Sequence, residues 1–220
     1  MFALIQYDDR STDQFKNLIH ENKEYAKSFD IDYIFFNKGY EQYPPYWRKV
    51  FLVEELLNTY EAVLWVDTDA LIVGKFHFKD LFRGGHFVLS PNPPMFDHQS
   101  LSMFSAPFCA GVWAVKNSPE GKFIMNTWTR SYNSDHWKIE DSKWIHKTGI
   151  YGGIAYEQGA FELSIWRNID FQKWIENKES RILNYLPRAK GKLKGKSCPS
   201  DIFAIHYWTG NRSHIKKHFP

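Results

Sequence analysis

Residues 61–73 read EAVLWVDTDALIV. Five apolar residues, Ala62 to Val66, run without interruption into Asp67-Thr68-Asp69, and the chain then turns apolar again. A segment apolar at every position, rather than at alternate ones, marks a strand covered on both faces, as in a parallel sheet flanked by helices. A carboxylate buried there without a partner is costly, so the pair is expected to hold something positive. In an extended chain, residues two apart share a side, which makes Asp67 and Asp69 converge while Thr68 turns away. Ligands of open α/β sheets gather outside the carboxyl ends of the strands. Two carboxylates converging there suit a hard divalent cation, Mg²⁺ or Mn²⁺, which in turn suits phosphate oxygens. At ordinary residue frequencies a chain of 220 residues holds about one Asp-x-Asp by chance. The position directly after a buried strand is what makes this one informative.

Working outward, FALIQY (Phe2–Tyr7) reads as a strand, and Ser11 with Gln14 forms a capping-box signature for a helix over 13–28. Ile31–Phe36 is a second strand. Pro44-Pro45 opens a helix whose stripe is Tyr46, Val50, Val53, Leu57 and Tyr60. HFVLS (86–90) and AGVWAVKN (110–117) are further strands, and Ser118-Pro119-Glu120 caps a helix to about Tyr132. Glu157–Arg167 reads as helix, RILNYL (181–186) and DIFAIHYW (201–208) as late strands. Early alternation of strands and helices gives an α/β class with a mostly parallel central sheet flanked by helices. Pro91–Pro107 and Ser131–Gly153 read as long irregular loops, the kind that carry function. No repeat or linker divides the chain, so 1–220 is expected to be a single domain.

Composition narrows the function classes. Apolar residues reach 43% and aromatics 18%, enough for a sizeable core, and a net charge of +3 argues against a dedicated nucleic-acid binder. Two cysteines, Cys109 and Cys198, make neither a disulfide framework nor a structural zinc site. The amino-terminal MFALIQYDDR lacks a basic leader region, and no segment approaches 18 apolar residues. A soluble, cytoplasmic protein with no membrane segment is expected, and the sequon at Asn211 carries no weight.

Four blocks between residues 46 and 218 then point further. YWRKVFLVEELLNTYEAVLWVDTDALIV, FCAGVWAVKNSPEG (108–121), AYEQGAFELSI (155–165) and IHYWTGNRSHIKKH (205–218) resemble, in order, segments of GT-A glycosyltransferases, closest to families 8 and 34. In those enzymes a lysine-bearing helix precedes a strand ending in Asp-x-Asp, as Lys49 and Asp67/Asp69 do here. A strand after a small-Gly turn, here at Gly111, lines the donor pocket. An acidic-Gln helix start, here Glu157-Gln158, lies near the donor sugar. A late His-x-x-Gly element supplies a further metal ligand, here His206. Two departures stand out: Asn211-Arg212-Ser213 replaces the proline-tryptophan ending of family 8, and Glu157 replaces the usual aspartate. The compact size also resembles capsid-modifying glycosyltransferases of large algal DNA viruses, which implies a virus-encoded enzyme acting in a host cell.

The resemblance implies a GT-A fold and transfer of a hexosyl group from a UDP-sugar donor to an acceptor hydroxyl of a glycan or glycoprotein, with retention of configuration. Asp67, Asp69 and His206 become metal ligands, and the imidazole favours Mn²⁺ over Mg²⁺. Arg212, Lys216 and Lys217 either reach the diphosphate or form a solvated basic tail, and Gly210 would allow close backbone approach to phosphate. Tyr7 could stack on the base while Asp8 accepts its N3–H. Lys49 is either a donor contact or an exposed helix lysine. Glu157 and Gln158 would support developing positive charge at the anomeric carbon. If the enzyme inverts instead, Asp97 and Asp135 are the loop candidates for a base. One or two of Trp113, Trp137, Trp144 and Tyr151 would carry the acceptor sugar. GKLKGKS (191–197) has three residues where a P-loop needs four. The rivals are a haloacid-dehalogenase-type phosphatase using Asp67 as nucleophile and a non-catalytic carbohydrate-binding module.

Overall fold

The computed structural model of the protein describes residues 1–10, 12–91, 108–147, 153–185, 201–207 and 215. Its frame is a six-stranded sheet: β1 (Phe2–Tyr7), β2 (Asp32–Phe36), β3 (Ala62–Val66), β5 (Phe87–Leu89), β6 (Val112–Lys116) and β9 (Ile175–Asn177), in the order β2-β1-β3-β6-β5-β9. The pairings β1–β2, β1–β3 and β5–β9 are parallel; β6 alone runs against its neighbours. β3 is buried at all five positions, as its unbroken apolar run demands.

Two helical layers cover the sheet. On one side α2 (Pro45–Leu56), α3 (Pro119–Arg130) and α4 (Glu157–Phe161) enclose a core built on Trp47, Trp113, Trp128 and Phe161. On the other, α1 (Lys16–Ser28) packs with Leu4, Leu64, Val112 and Phe203. α1 is pinned to the short strand β4 (Ala70–Ile72) by the buried Asn22 amide. It donates to the Ala70 carbonyl at 2.9 Å and accepts from the Ile72 N–H at 2.8 Å. β4 pairs antiparallel with β10 (Ala204–His206), and this register sets His206 opposite Ala70.

Four expectations need correction. The first turn of the amino-terminal helix is a 3-10 turn, Asp13–Phe15, and no side chain caps it or α1; Ser11 lies outside the described residues. On α2 the buried face is wider than the expected stripe: Trp47, Arg48 and Lys49 are buried, whereas Tyr46 is on the surface. RILNYL is not a strand, because Ser180–Leu183 forms a short helix and only Tyr185 makes a lone bridge to Ile205. Residues 131–153 are not merely loop: β7 (Trp137–Glu140) and β8 (Lys143–His146) make a hairpin whose turn residues Asp141 and Ser142 both have positive φ. A two-residue turn of that kind matches the twist of the paired strands. Most of Pro91–Pro107 and all of GKLKGKS lie outside the described residues.

Candidate active site

β3 delivers Asp67 to the carboxyl edge of the sheet, and a tight turn brings Asp69 round beside it. The Ala70 N–H bonds the Asp67 carbonyl at 2.9 Å. The two carboxylates therefore converge through a turn, not through an extended chain. The adjoining register of β10 adds His206. Asp67, Asp69 and His206 each offer a ligand atom, all within 4.8 Å of one another. His206 Nε2 is 3.2 Å from Asp69 Oδ1 and 4.0 Å from Asp67 Oδ2. Ligands about 2.1 Å from a shared ion stand roughly 3–4 Å apart, so these three fit one divalent cation.

The surroundings hold each ligand in place. His206 Nδ1 faces Asn184 Oδ1 at 3.1 Å and the Cys109 sulfur at 3.5 Å, and the Asn184 amide itself donates to Ser90 Oγ at 2.6 Å. An Nδ1–H donated to Asn184 leaves Nε2 with the lone pair a metal needs. Burial disfavours a charged His206, but the Cys109 sulfur and the Asp69 carboxylate outweigh it and push its pKa up to about 10. Without metal, His206 is thus an imidazolium locked onto Asp69. Gly111 lies flat against this ring: a Cβ there would sit 2.1 Å from His206 Cε1. Its role is to make room for the histidine.

Asp67 Oδ1 accepts from Lys49 Nζ at 2.9 Å and from Trp65 Nε1 at 2.7 Å, while Oδ2 is turned toward His206. Lys49 is no exposed helix lysine. Its ammonium is buried among Asp67, the Ala110 carbonyl at 3.2 Å and Glu157 Oε1 at 3.7 Å. Glu157 is itself buried, and its Oε2 makes no hydrogen bond among the described residues. Burial, opposed by Lys49 and aided by Asp67, raises its pKa to about 7. Gln158 donates its amide to the Phe108 carbonyl at 2.8 Å.

Asp8 has other partners than a nucleobase. Its Oδ1 accepts from Arg10 N and Nε, and its Oδ2 from Arg10 Nη2 at 2.9 Å and Thr68 Oγ1 at 2.6 Å. Those four bonds fill a carboxylate's acceptor capacity. A base could bond Asp8 only by displacing one of them. Tyr7 is half-buried, donating to the Gly39 carbonyl at 2.8 Å and accepting from Arg48, which also pairs with Asp9.

The tryptophans mostly serve the scaffold. Trp113 is fully buried against Phe87 and cannot carry an acceptor sugar. Trp47 and Trp137 both donate to the Ala155 carbonyl, at 2.8 and 3.0 Å, and Trp128 donates to the Glu157 carbonyl at 2.8 Å. They fix the start of α4. Trp144 alone among the named indoles is partly exposed. Asp135 is exposed on a 3-10 turn. Tyr151, Asp97, Gly210, Arg212, Lys216 and Lys217 lie outside the described residues. Sequence reasoning missed Trp65, Asn184, Ser90 and Arg10. Trp65 could have been found, since a polar-tipped residue two before the aspartate shares its side of the strand.

No protein-family model matches the chain, and no curated protein matches it by sequence. Among solved structures, a glycosyltransferase involved in glycosylation of the major capsid of PBCV-1 aligns with a TM-score of 0.68 at 12% identity. The alignment covers 99% of this chain and 97% of that one. The chain shares the fold of that glycosyltransferase. The glycosyltransferase GlyE of Streptococcus pneumoniae TIGR4 aligns at TM-score 0.51 and 13% identity, and this chain spans 60% of its length. Within this shared fold the acidic pair and His206 occupy the carboxyl edge of the sheet, where open α/β sheets bind ligands. No helix among the described residues is long and apolar enough to cross a membrane.

Proposed function

We propose that the protein is a metal-dependent glycosyltransferase that moves a hexosyl group from a UDP-sugar to an acceptor hydroxyl of a glycan or glycoprotein, with Mn²⁺ as the favoured ion. The observation that carries this reading is the cluster of Asp67, Asp69 and His206 at the end of a core strand, on a fold shared with glycosyltransferases. When bound, a divalent ion supplies charge stabilisation for a departing nucleoside diphosphate.

The chain's own residues prepare that chemistry. Lys49 and Trp65 occupy Asp67 Oδ1 and so present Oδ2 to the ion. Asn184 sets the tautomer of His206. Tyr7 stands at the rim for the base, while Asp8 acts through Arg10 and Thr68. Glu157, buried 3.7 Å from Lys49 Nζ, would bear on positive charge at the anomeric carbon through its electric field and not by touching the sugar. Gln158 adjoins it. Retention of configuration follows from the resemblance to families 8 and 34, and product anomeric NMR tests it. The chain is taken as one domain acting without nucleic acid, and the capsid enzyme makes a viral glycoprotein a reasonable acceptor to try. The phosphatase reading gains no support from the fold.

The test is UDP release from UDP-glucose, UDP-galactose and UDP-xylose with Mn²⁺. The expected result is turnover with at least one donor, loss of about 10²-fold or more in Asp69→Ala, and an unchanged circular dichroism spectrum. Full activity of Asp69→Ala would remove the cluster from the mechanism.

A further inference from the structure

A concave site lies between α2 and α3, a groove of about 700 Å³ that includes none of Asp67, Asp69 or His206. Its size is within the range of about 300–1,000 Å³ common to small-molecule sites. One end is formed by Tyr40 and Tyr43, in the segment after β2. That segment also gives its Gly39 carbonyl to Tyr7 and its Glu41 carbonyl to Trp144. The segment that lines this part of the groove therefore also touches the carboxyl end of β1 at Tyr7. Asn58 and Pro119, which also line it, precede β3 and follow β6, at the end of those strands opposite Asp67. Helical residues advance about 100° each, so Phe51, Glu54 and Glu55 lie on the far side of α2 from Lys49.

The lining mixes two kinds of side chain. Tyr40, Tyr43, Phe51 and Phe123 supply flat apolar surface; Tyr43 and Phe51 are stacked with centroids 3.7 Å apart, and Phe123 is 53% exposed. Between them stand planar polar groups already fixed in direction. Glu54 Oε1 is held by Thr129 at 2.9 Å and by Asn126 at 3.4 Å, and Glu55 by the Tyr40 hydroxyl. Among the described lining residues, two carboxylates against one cation, Lys122, make the groove unfavourable for phosphates, so its occupant differs in class from a nucleotide donor. Aromatic faces match the C–H faces of a pyranose, while carboxylates and amides match its hydroxyl pairs.

We propose that the α2–α3 groove binds a neutral oligosaccharide, the portion of an acceptor glycan remote from the hydroxyl that reacts. This rests on the glycosyl-transfer reading for its purpose, though not for its binding chemistry.

The test is saturation-transfer NMR and calorimetry of the full chain with maltotetraose, cellotetraose and xylotetraose. At least one should bind saturably. Phe123→Ala and Glu54→Gln should each weaken that binding about fivefold or more, while Asp69→Ala leaves it unchanged. Phe123→Ala should also leave UDP release to water unaltered. No saturable binding to the three, or binding untouched by both groove variants, would overturn the proposal. So would tighter, groove-dependent binding of a tetralysine peptide, which would make the occupant a basic protein. Binding lost in Asp69→Ala alone would place the sugar in the active site and overturn the groove while sparing the transferase reading. Groove-dependent binding without any UDP release would sink the transferase reading and leave the groove as a carbohydrate-binding site.

Discussion

Gly111 and Glu157 show how single residues set this site. With a Cβ placed 2.1 Å from the His206 ring, Gly111→Ala forces the imidazole away from Asp69. Overpacking of this kind costs about 1–3 kcal/mol. Mn²⁺ binding followed by calorimetry should weaken at least about tenfold, with the fold still cooperative by thermal melting. Glu157 is a different case. Its pKa, raised from 4.5 to about 7, means the folded chain holds that proton more tightly than the unfolded one. The stability linked to it is complete below about pH 4.5 and is lost as pH rises through 7. Glu157→Gln removes the loss, so urea midpoints of variant and parent should diverge between pH 5 and pH 8.5. The variant gains a few kcal/mol at most at the upper end. Equal midpoints across that range would mean Lys49 already neutralises Glu157. Neither behaviour was legible beforehand. Gly111 was read as lining a donor pocket, and Lys49 as equally a donor contact or an exposed lysine, because side-chain contacts between elements leave no local trace.

At the scale of elements, legibility followed the source of the signal. β1, β3 and α3 declared themselves through continuous apolar runs or a Ser-Pro-Glu cap, and Ser118 does accept from the Gly121 N–H. The hairpin β7–β8 was missed because Asp141-Ser142 is not the Asn-Gly pair that announces such turns. RILNYL has an apolar pattern short enough to suit either state, and tertiary packing of Leu183 in the core made it helix. The α4 start was readable as helix, but its anchoring was not. Two indoles share the Ala155 carbonyl, and a carbonyl has two lone pairs. Removing one donor leaves the oxygen bonded; removing both buries it bare, which costs about 1–3 kcal/mol beyond the packing lost. The Trp47→Phe/Trp137→Phe double variant should therefore fall below the sum of the two singles in a urea-unfolding cycle. Strict additivity would show that the indoles act only as bulk.

For the molecule as a whole, the site couples metal, protons and stability. Asp67 and Asp69 join β3 to β4 while His206 ends β10, so an ion bound there would add a further tie between β10 and the central sheet. A ligand that binds only the folded chain stabilises it by about 2.7 kcal/mol at a hundred times its Kd, and Mn²⁺ should raise the melting temperature accordingly. His206 sets the pH dependence. In the metal-free chain its pKa is raised from 6.5 to about 10, so the ion pair with Asp69 stabilises the fold fully below about pH 6.5 and fades as pH rises through 10. An ion must displace that proton. Apparent Mn²⁺ affinity should therefore climb with pH, by about tenfold per unit between pH 6 and pH 8 where one proton is released, and the melting shift at fixed Mn²⁺ should grow in parallel. His206→Gln should flatten both curves while keeping weaker binding through the two aspartates. A wild-type affinity that stays level across that interval would mean the imidazole is not a ligand and that the ion, if bound, sits on the carboxylates alone.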